Sequence, residues 1–208
     1  MPVSRVRSPS KLIVSTNVPI APARTRLVRA PAQQMLALGS GAAAVPTWVR
    51  LACQVPHQEQ DNWCWCATTL GVHKYYVKSD TTTQCQAANL ILGRTDACVS
   101  PSDPGINKPY YLDKSLAAFS HMKGSTIGAP LPFSQLDQEI SGDSPVGARI
   151  GWPDDEGGHF MAIVGYIDAP VPRIAISDPY YGESDIDYDL YCKAYQGNGT
   201  WTHSYLTQ

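Results

Sequence analysis

Between residues 58 and 70 the sequence reads QEQDNWCWCATTL, a polar loop that runs directly into an apolar segment. The segment from Trp63 to Val77 is long enough for a helix, and its first half is apolar on nearly every side, which predicts that this end is buried. Asp61 and Asn62 precede it and are residue types that cap helices. Cys64 therefore falls in the first turn, where unpaired N–H groups and the helix dipole stabilise a thiolate. An inert core cysteine would fit the same position.

Further helices are expected before any long strand. We expect them over residues 84–92, ended by Gly93, over residues 112–119, and from a capping-box-like start at Ser134 to Gly142. Apolar, β-favouring segments then follow, which predict strands over residues 146–152, 159–167 and 173–177. This order of helices first and strands later predicts an α+β fold with antiparallel strands joined by tight turns.

The charge distribution divides the chain into two parts. Residues 1–45 carry six basic and no acidic side chains, whereas the remainder carries a net charge of −8. Five prolines interrupt the first part, which predicts a flexible basic tail on a domain spanning residues 46–208. The tail could equally be an export, transit or removable pro-segment. Trp48, Val49 and Leu51 are expected to be the first core residues.

The composition excludes two classes of protein. No run reaches the ~18 apolar residues of a membrane-spanning helix, and the net charge of −2 gives no indication of nucleic-acid binding. A metal site is also not expected, since Cys64 and Cys66 lack the spacing and the second ligand pair of a zinc site.

The two last predicted strands place a histidine beside a carboxylate. If residues 160–167 and 173–177 form a hairpin centred near residues 168–170, His159 and Asp178 face each other or lie one diagonal apart. A carboxylate in this position fixes the tautomer of the imidazole and supports its charged form. Packing of the first helix on this sheet would then bring Cys64 to His159.

Together these motifs resemble the papain-like cysteine peptidases, most closely their small bacterial type, which includes effector peptidases delivered by plant pathogens. The family places a Gln six residues before a helix-opening Cys-Trp, then a His on one strand and an Asn or Asp on its neighbour. The resemblance covers about residues 50–182. The matching elements, in order, are Gln58, Cys64-Trp65, Gly158-His159-Phe160 with Ile163-Val164-Gly165-Tyr166, and Ser177-Asp178-Pro179.

The resemblance implies a papain-like fold, with the nucleophile on a buried N-terminal helix packed against an antiparallel sheet that carries the His and the Asp. It implies that Cys64 is the nucleophile, His159 the base and later the acid, and Asp178 the residue that orients His159. The Gln58 side chain and the Cys64 backbone N–H would donate to the oxyanion, with Gln60 as a rival donor. Neither metal nor cofactor is expected.

The resulting hypothesis is a cysteine endopeptidase that acts on proteins or peptides, with neither a nucleic-acid partner nor a membrane span. The sequence leaves its oligomeric state open and favours a monomer. A secreted or translocated effector or toxin is favoured over a cytoplasmic enzyme. The same three groups would also serve an acyltransferase, a transglutaminase or a deamidase, and a peptide-binding pseudopeptidase is a further alternative. The loops over residues 100–109 and 152–158 are expected to form walls of the substrate site. The segment Val45-Pro46-Thr47-Trp48 could be a self-processing site or an ordinary linker.

Five cysteines remain besides Cys64, and an odd number does not predict a fully paired framework. Cys85 and Cys98 could close a short loop by a disulfide. Cys66 lies about 200° around the helix from Cys64 and is therefore expected in the core. The sequence allows both a reduced and a partly oxidised state for this set.

Overall fold

The computed structural model describes residues 47–153 and 157–208. The predicted tail, residues 1–45, and part of the predicted self-processing segment lie outside the described residues. The described residues form an α+β structure, as predicted, with its helices in five segments. These are α1 (Cys64–Tyr76), α2 (Gln84–Leu92), α3 (Leu112–Ala118), α4 (Phe133–Ser141) and α5 (Tyr188–Ala194).

One antiparallel sheet holds the six strands of the described residues. Its order is β5-β4-β3-β2-β6, and β1 pairs with the end of β3 that β2 leaves uncovered. The strands are β1 (Thr47–Arg50), β2 (Val146–Gly151), β3 (Gly158–Asp168), β4 (Arg173–Asp178), β5 (Gly182–Asp187) and β6 (Thr200–Leu206).

Two apolar clusters hold the layers together. The first lies on the sheet beneath α4 and α5 and includes Ile150, Met161 and Tyr191. The second joins α1, α2 and α3 to the sheet through Phe160 and Tyr205. Helix α1 contacts both β3 and α3, so the helix that begins at Cys64 is buried from its first turn.

Helix α1 confirms the predicted segment within one residue at each end, but its predicted caps are wrong. Trp63 occupies the N-cap position without a side-chain capping bond, and Asp61 and Asn62 lie outside the helix. The capping box predicted at Ser134 is also wrong, since α4 begins at Phe133 after Pro132 and has no side-chain cap. Pro132 is the N-cap residue, and its carbonyl accepts the backbone N–H groups of Gln135 at 2.9 Å and Leu136 at 3.0 Å.

Helix α2 follows its prediction closely, over residues 84–92. Thr83 and Gln86 form a reciprocal capping box at its start, and Gly93 ends it with a left-handed φ of 64°. A non-glycine residue would be strained at that φ.

The hairpin of β3 and β4 has nearly the predicted register. Tyr166 lies opposite Ile174, and after a bulge between residues 163 and 165 the register shifts by one, so that Ala162 lies opposite Ser177. His159 and Asp178 consequently lie one diagonal apart at the open end of the hairpin. The bulge is a local kink that re-aims the side chains beyond it.

Arg50 anchors β1 to the far edge of the sheet. Its side chain crosses Gly165 and Ala175, which are too small to obstruct it, and forms ion pairs with Glu183 at 3.0 Å and Asp185 at 3.2 Å on β5. These two ion pairs fix the start of the loop that leads from β1 to α1. Trp48 does not join the core as predicted, because 63% of its surface is exposed.

The strands β1, β5 and β6 and the helix α5 have no counterpart in the sequence-based expectations. β5 lies at a sheet edge, where its acidic residues remain partly exposed and no apolar alternation is needed. None of the helices in the described ranges has the length and apolar character that crossing a membrane requires.

Candidate active site

Cys64 is the first residue of α1, and the two tryptophans beside it hold this end of the helix in place. The indole N–H of Trp63 donates to the carbonyl of Ile106 at 3.1 Å, and that of Trp65 donates to the carbonyl of Lys108 at 3.0 Å. Both rings are fully buried. The polar end of each indole thus finds a partner while its apolar body fills the core.

Asn62 and Asn107 strengthen the same junction. The backbone N–H of Asn62 donates to Oδ1 of Asn107 at 3.0 Å, and the Asn62 side-chain amide donates to the Asn107 carbonyl at 3.2 Å. The loop over residues 100–109, which we expect to border the substrate, is therefore also the support of the helix start. The four bonds hold the start of the helix against this loop.

His159 and Asp178 form a buried hydrogen-bonded pair. Nε2 of His159 lies 2.8 Å from Oδ1 of Asp178, and the two residues are 8% and 2% exposed. The first lies near the start of β3 and the second at the end of β4, so the hairpin register brings them together. A carboxylate on Nε2 leaves Nδ1 as the ring nitrogen that can face a reacting group.

The carboxylate of Asp178 accepts further hydrogen bonds. Oδ1 accepts the backbone N–H groups of Tyr180 at 2.6 Å and Tyr181 at 2.8 Å, and Oδ2 accepts the hydroxyl of Tyr195 at 2.8 Å. Burial, the strongest influence, raises the pKa of this carboxyl, but the bond and charge of His159 and the two N–H groups lower it more. The net pKa lies below its usual value.

Cys64 lies close enough to His159 to influence the pKa of the imidazole. Burial lowers the pKa of His159, whereas the hydrogen bonds and charges of Asp178 and Cys64 raise it, with a net value of about 10. The arrangement therefore stabilises the imidazolium form. A cysteine at a helix N-terminus beside an imidazolium is the environment in which a thiolate is favoured.

The loop between β1 and α1 is fastened to the end of β4. The backbone N–H of Val55 donates to Oγ of Ser177 at 2.8 Å, and that of Gln58 donates to the carbonyl of Pro179 at 2.9 Å. These bonds place Gln58 beside the strand end that carries Asp178. The structure thus brings together the elements that carry all four predicted site residues.

Two further features hold this loop against the helices. The Gln84 side chain on α2 donates to the carbonyl of His57 at 2.7 Å and accepts the N–H of Glu59 at 3.0 Å. On α1, a Cβ at Gly71 would lie 2.7 Å from Cα of Val55, so only glycine lets the loop approach the helix this closely.

The amide of Gln58 turns toward its own loop. Its Nε2 donates to the carbonyls of Gln60 and Asp61, both at 2.9 Å, and its buried Oε1 has no hydrogen-bond partner among the described residues. The rival, Gln60, accepts a bond from the hydroxyl of Ser102 at 3.2 Å through its side-chain oxygen. Gln58 is only 7% exposed, so its amide is largely shielded from solvent.

Four of the five remaining cysteines are either disulfide-bonded or buried. Cys85 and Cys98 form a disulfide that joins α2 to the loop after it. Cys66 is fully buried, as predicted, and burial raises its pKa strongly. Burial likewise raises the pKa of Cys53 to about 12. Both thiols are therefore protonated and unreactive near neutral pH.

Tyr195 is the one site residue that the sequence-based reasoning did not single out. It follows α5, and nothing in the local sequence marks it, because its contact with Asp178 depends on how α5 folds back over the sheet. Tyr180 and Tyr181, which follow Asp178 and Pro179 in the chain, also lie beside the pair. Their ring centroids lie 6.5 and 6.0 Å from that of His159.

A helix that begins at a buried cysteine and packs against an antiparallel sheet with a buried His–Asp pair is consistent with the fold of a papain-like cysteine peptidase. A sequence model of the Peptidase_C39 like family matches residues 52–205. The chain belongs to this family, and the match includes Gln58, Cys64, His159 and Asp178. A search of curated proteins found no match.

We expect His159 to titrate near pH 10, far above the ordinary histidine value of ~6.5. The imidazolium is present below this pH and lost above it. Its contribution to stability is complete below the unfolded-state pKa of ~6.5 and declines as the pH rises toward about 10. The pH dependence of the imidazole NMR shifts measures this directly.

The variant Asp178→Asn should lower the pKa of His159, because it removes the negative charge. His203 is an internal control, since burial and then the charge of Arg149 lower its pKa and Asp178 has no part in this. A wild-type His159 that titrates at or below the ordinary value would contradict the assignment of a stabilised imidazolium.

Proposed function

We propose that the protein is a cysteine endopeptidase that hydrolyses peptide bonds through Cys64, His159 and Asp178. The buried hydrogen bond between His159 and Asp178, together with the influence of the nearby Cys64 on the imidazole, carries this proposal. An orienting carboxylate, a base and a thiol at a helix N-terminus are the parts that nucleophilic acyl chemistry requires. Membership of a cysteine peptidase family supports the same reaction class.

The acylation step begins from a thiolate–imidazolium pair, in which the thiol proton of Cys64 has already passed to His159. The thiolate sulfur forms a bond to the carbonyl carbon of the substrate, and the π electrons move onto the carbonyl oxygen. When this intermediate collapses, the C–N bond breaks and the imidazolium protonates the leaving amine. The product of this step is a thioester on Cys64.

In the deacylation step, neutral His159 takes a proton from water as the water oxygen attacks the thioester carbonyl. Collapse of the second intermediate breaks the C–S bond and releases the carboxylic acid. Cys64 leaves as a thiolate beside a protonated His159, so the pair is restored. Asp178 remains ionised throughout and stabilises the imidazolium in both steps.

The oxyanion would be held by two donors at the start of α1. The N–H of Cys64 is among the first N–H groups of a helix, which have no partner within the helix. Gln58 would be the second donor. One hydrogen of its side-chain amide would then leave the loop carbonyl to which it donates and bond to the oxyanion instead. A charged acceptor forms the stronger bond, so this exchange is favourable in the intermediate.

We also propose that the catalytic domain spans residues 46–208 and that residues 1–45 are a separate basic segment. The pairing of β1 with β3 and the family match over residues 52–205 support this extent of the domain. The disulfide of Cys85 and Cys98 supports action in an oxidising compartment, where such bonds persist. This would suit a secreted peptidase or effector.

The test is intact-mass labelling of the native protein with a peptidyl epoxide. We expect one label on Cys64, loss of the label in Cys64→Ala and slower labelling in His159→Ala. Cys192 is a free, partly exposed thiol, so Cys192→Ala is the matched control and should label normally. No preferential labelling of Cys64 would overturn the proposal and favour a peptide-binding pseudopeptidase.

Product analysis then separates hydrolysis from acyl transfer. We expect peptide substrates to yield free carboxylic acids and amines even when amine acceptors and glutamine substrates are supplied. If transfer of the acyl group to the added amine were the main reaction, the protein would instead be an acyltransferase or a transglutaminase. Release of ammonia from glutamine would assign it to the deamidases.

Gln58→Ala should lower kcat by about 10²- to 10³-fold, because it removes one oxyanion donor. Gln60→Ala is the matched control and should change kcat little. Steady-state kinetics on a peptide substrate measures both. The reverse pattern, a large loss in Gln60→Ala alone, would assign the donor role to Gln60.

A further inference from the structure

Tyr195 binds the oxygen of Asp178 that does not face the histidine. Oδ1 accepts hydrogen bonds from His159 and from two backbone N–H groups. Among the described residues, the donor to Oδ2 is the hydroxyl of Tyr195, at 2.8 Å. Tyr195 is 1% exposed, and the side chain of Asp178 is fully buried. A buried carboxylate oxygen without a donor is costly, so this bond matters to the state of the whole carboxylate.

The hydroxyl of Tyr195 is held rigidly in this position. Its backbone exchanges two hydrogen bonds with Gly199, both at 2.8 Å. Its ring packs between Tyr181 and Tyr191, with centroid distances of 6.2 and 5.3 Å. A fixed donor loses little conformational entropy when it binds the carboxylate.

The chemistry of the phenol makes Tyr195 the donor in this bond. Burial and then the negative charge of Asp178 raise the pKa of Tyr195 far above its usual value. The hydroxyl is therefore protonated at every pH at which the protein would work, and a carboxylate accepts its hydrogen.

We propose that Tyr195 is a positioning residue, which holds Asp178 ionised and turned so that Oδ1 faces His159. This inference rests on the proposed peptidase function, to which it adds a fourth residue. Without the hydroxyl, Oδ2 would be buried without a donor, and the carboxylate would rotate or take up a proton. Either change weakens its support of the imidazolium.

The titratable groups around the pair come from four elements. Cys64 approaches from α1 and His159 belongs to β3, and two tyrosines follow β4. Tyr191 on α5 also lies in the field of Asp178. Tyr195 is distinguished from the three other tyrosines, Tyr180, Tyr181 and Tyr191, because its hydroxyl bonds to the carboxylate.

The test compares Tyr195→Phe with Tyr191→Phe. Tyr191 is a matched control, since it is fully buried in the same cluster and its hydroxyl has no hydrogen-bond partner among the described residues. In Tyr195→Phe we expect kcat/KM to fall by about tenfold with KM little changed. The alkaline limb of the pH profile should move to lower pH. Tyr191→Phe should keep the wild-type profile.

A second measurement separates failure of this inference from failure of the proposed function. NMR titration of His159 in the Cys64→Ala background needs no peptidase activity. There, adding Tyr195→Phe should lower the pKa of His159, and adding Tyr191→Phe should leave it unchanged. An unchanged His159 titration in a folded Tyr195→Phe protein would overturn the inference, even if peptide hydrolysis were established.

A double-mutant comparison tests whether Tyr195 acts through Asp178. In an Asp178→Asn background, Tyr195→Phe should cause no further loss of kcat/KM, because the carboxylate it supports is already absent. An equal loss in both backgrounds would overturn the inference and assign a general packing role. Thermal unfolding of each variant verifies that the compared proteins are folded.

Discussion

The buried hydrogen bond between His159 and Asp178 is the constraint on which the rest of the site depends. A carboxylate that loses its contact with water must find donors from the protein. Here the hairpin register supplies the imidazole, the turn after β4 supplies two N–H groups, and Tyr195 supplies a hydroxyl. The bulge in β3, the turn after β4 and the position of α5 therefore all help to place hydrogen-bond donors around the Asp178 carboxylate. With that charge fixed, the imidazole can present its other nitrogen to Cys64.

Much of this arrangement could be predicted from the sequence, because it follows from local rules. Alternating and continuous apolar segments predicted β3 and β4. The position of the turn between them predicted that His159 and Asp178 face each other or lie one diagonal apart, and the second arrangement is the one observed. The apolar first half of α1 predicted the burial of Cys64 and Cys66. The separation of Cys85 and Cys98 allowed a disulfide, which the structure contains.

The rest depended on contacts between distant parts of the chain. The caps predicted for α1 were wrong because the helix begins one residue later than predicted, with Trp63 as its N-cap residue. Its start is held by distant bonds from Asn62, Trp63 and Trp65 to the loop over residues 100–109. The strand β5 was missed because an acidic edge strand lacks an apolar pattern. Tyr195 was missed because its contact with Asp178 needs α5 to return over the sheet. The inward turn of the Gln58 amide likewise depends on the loop conformation.

The most direct test of the central claim is detection of the acyl-enzyme itself. An activated ester of a blocked amino acid, mixed rapidly with the protein and quenched in acid, should give a transient mass increase equal to the acyl group. Peptide mapping should place it on Cys64, and Asp178→Asn should form it more slowly, because its imidazole is no longer oriented and supported. Turnover of the ester without any covalent species on Cys64, or equal acylation rates in the two proteins, would contradict the account.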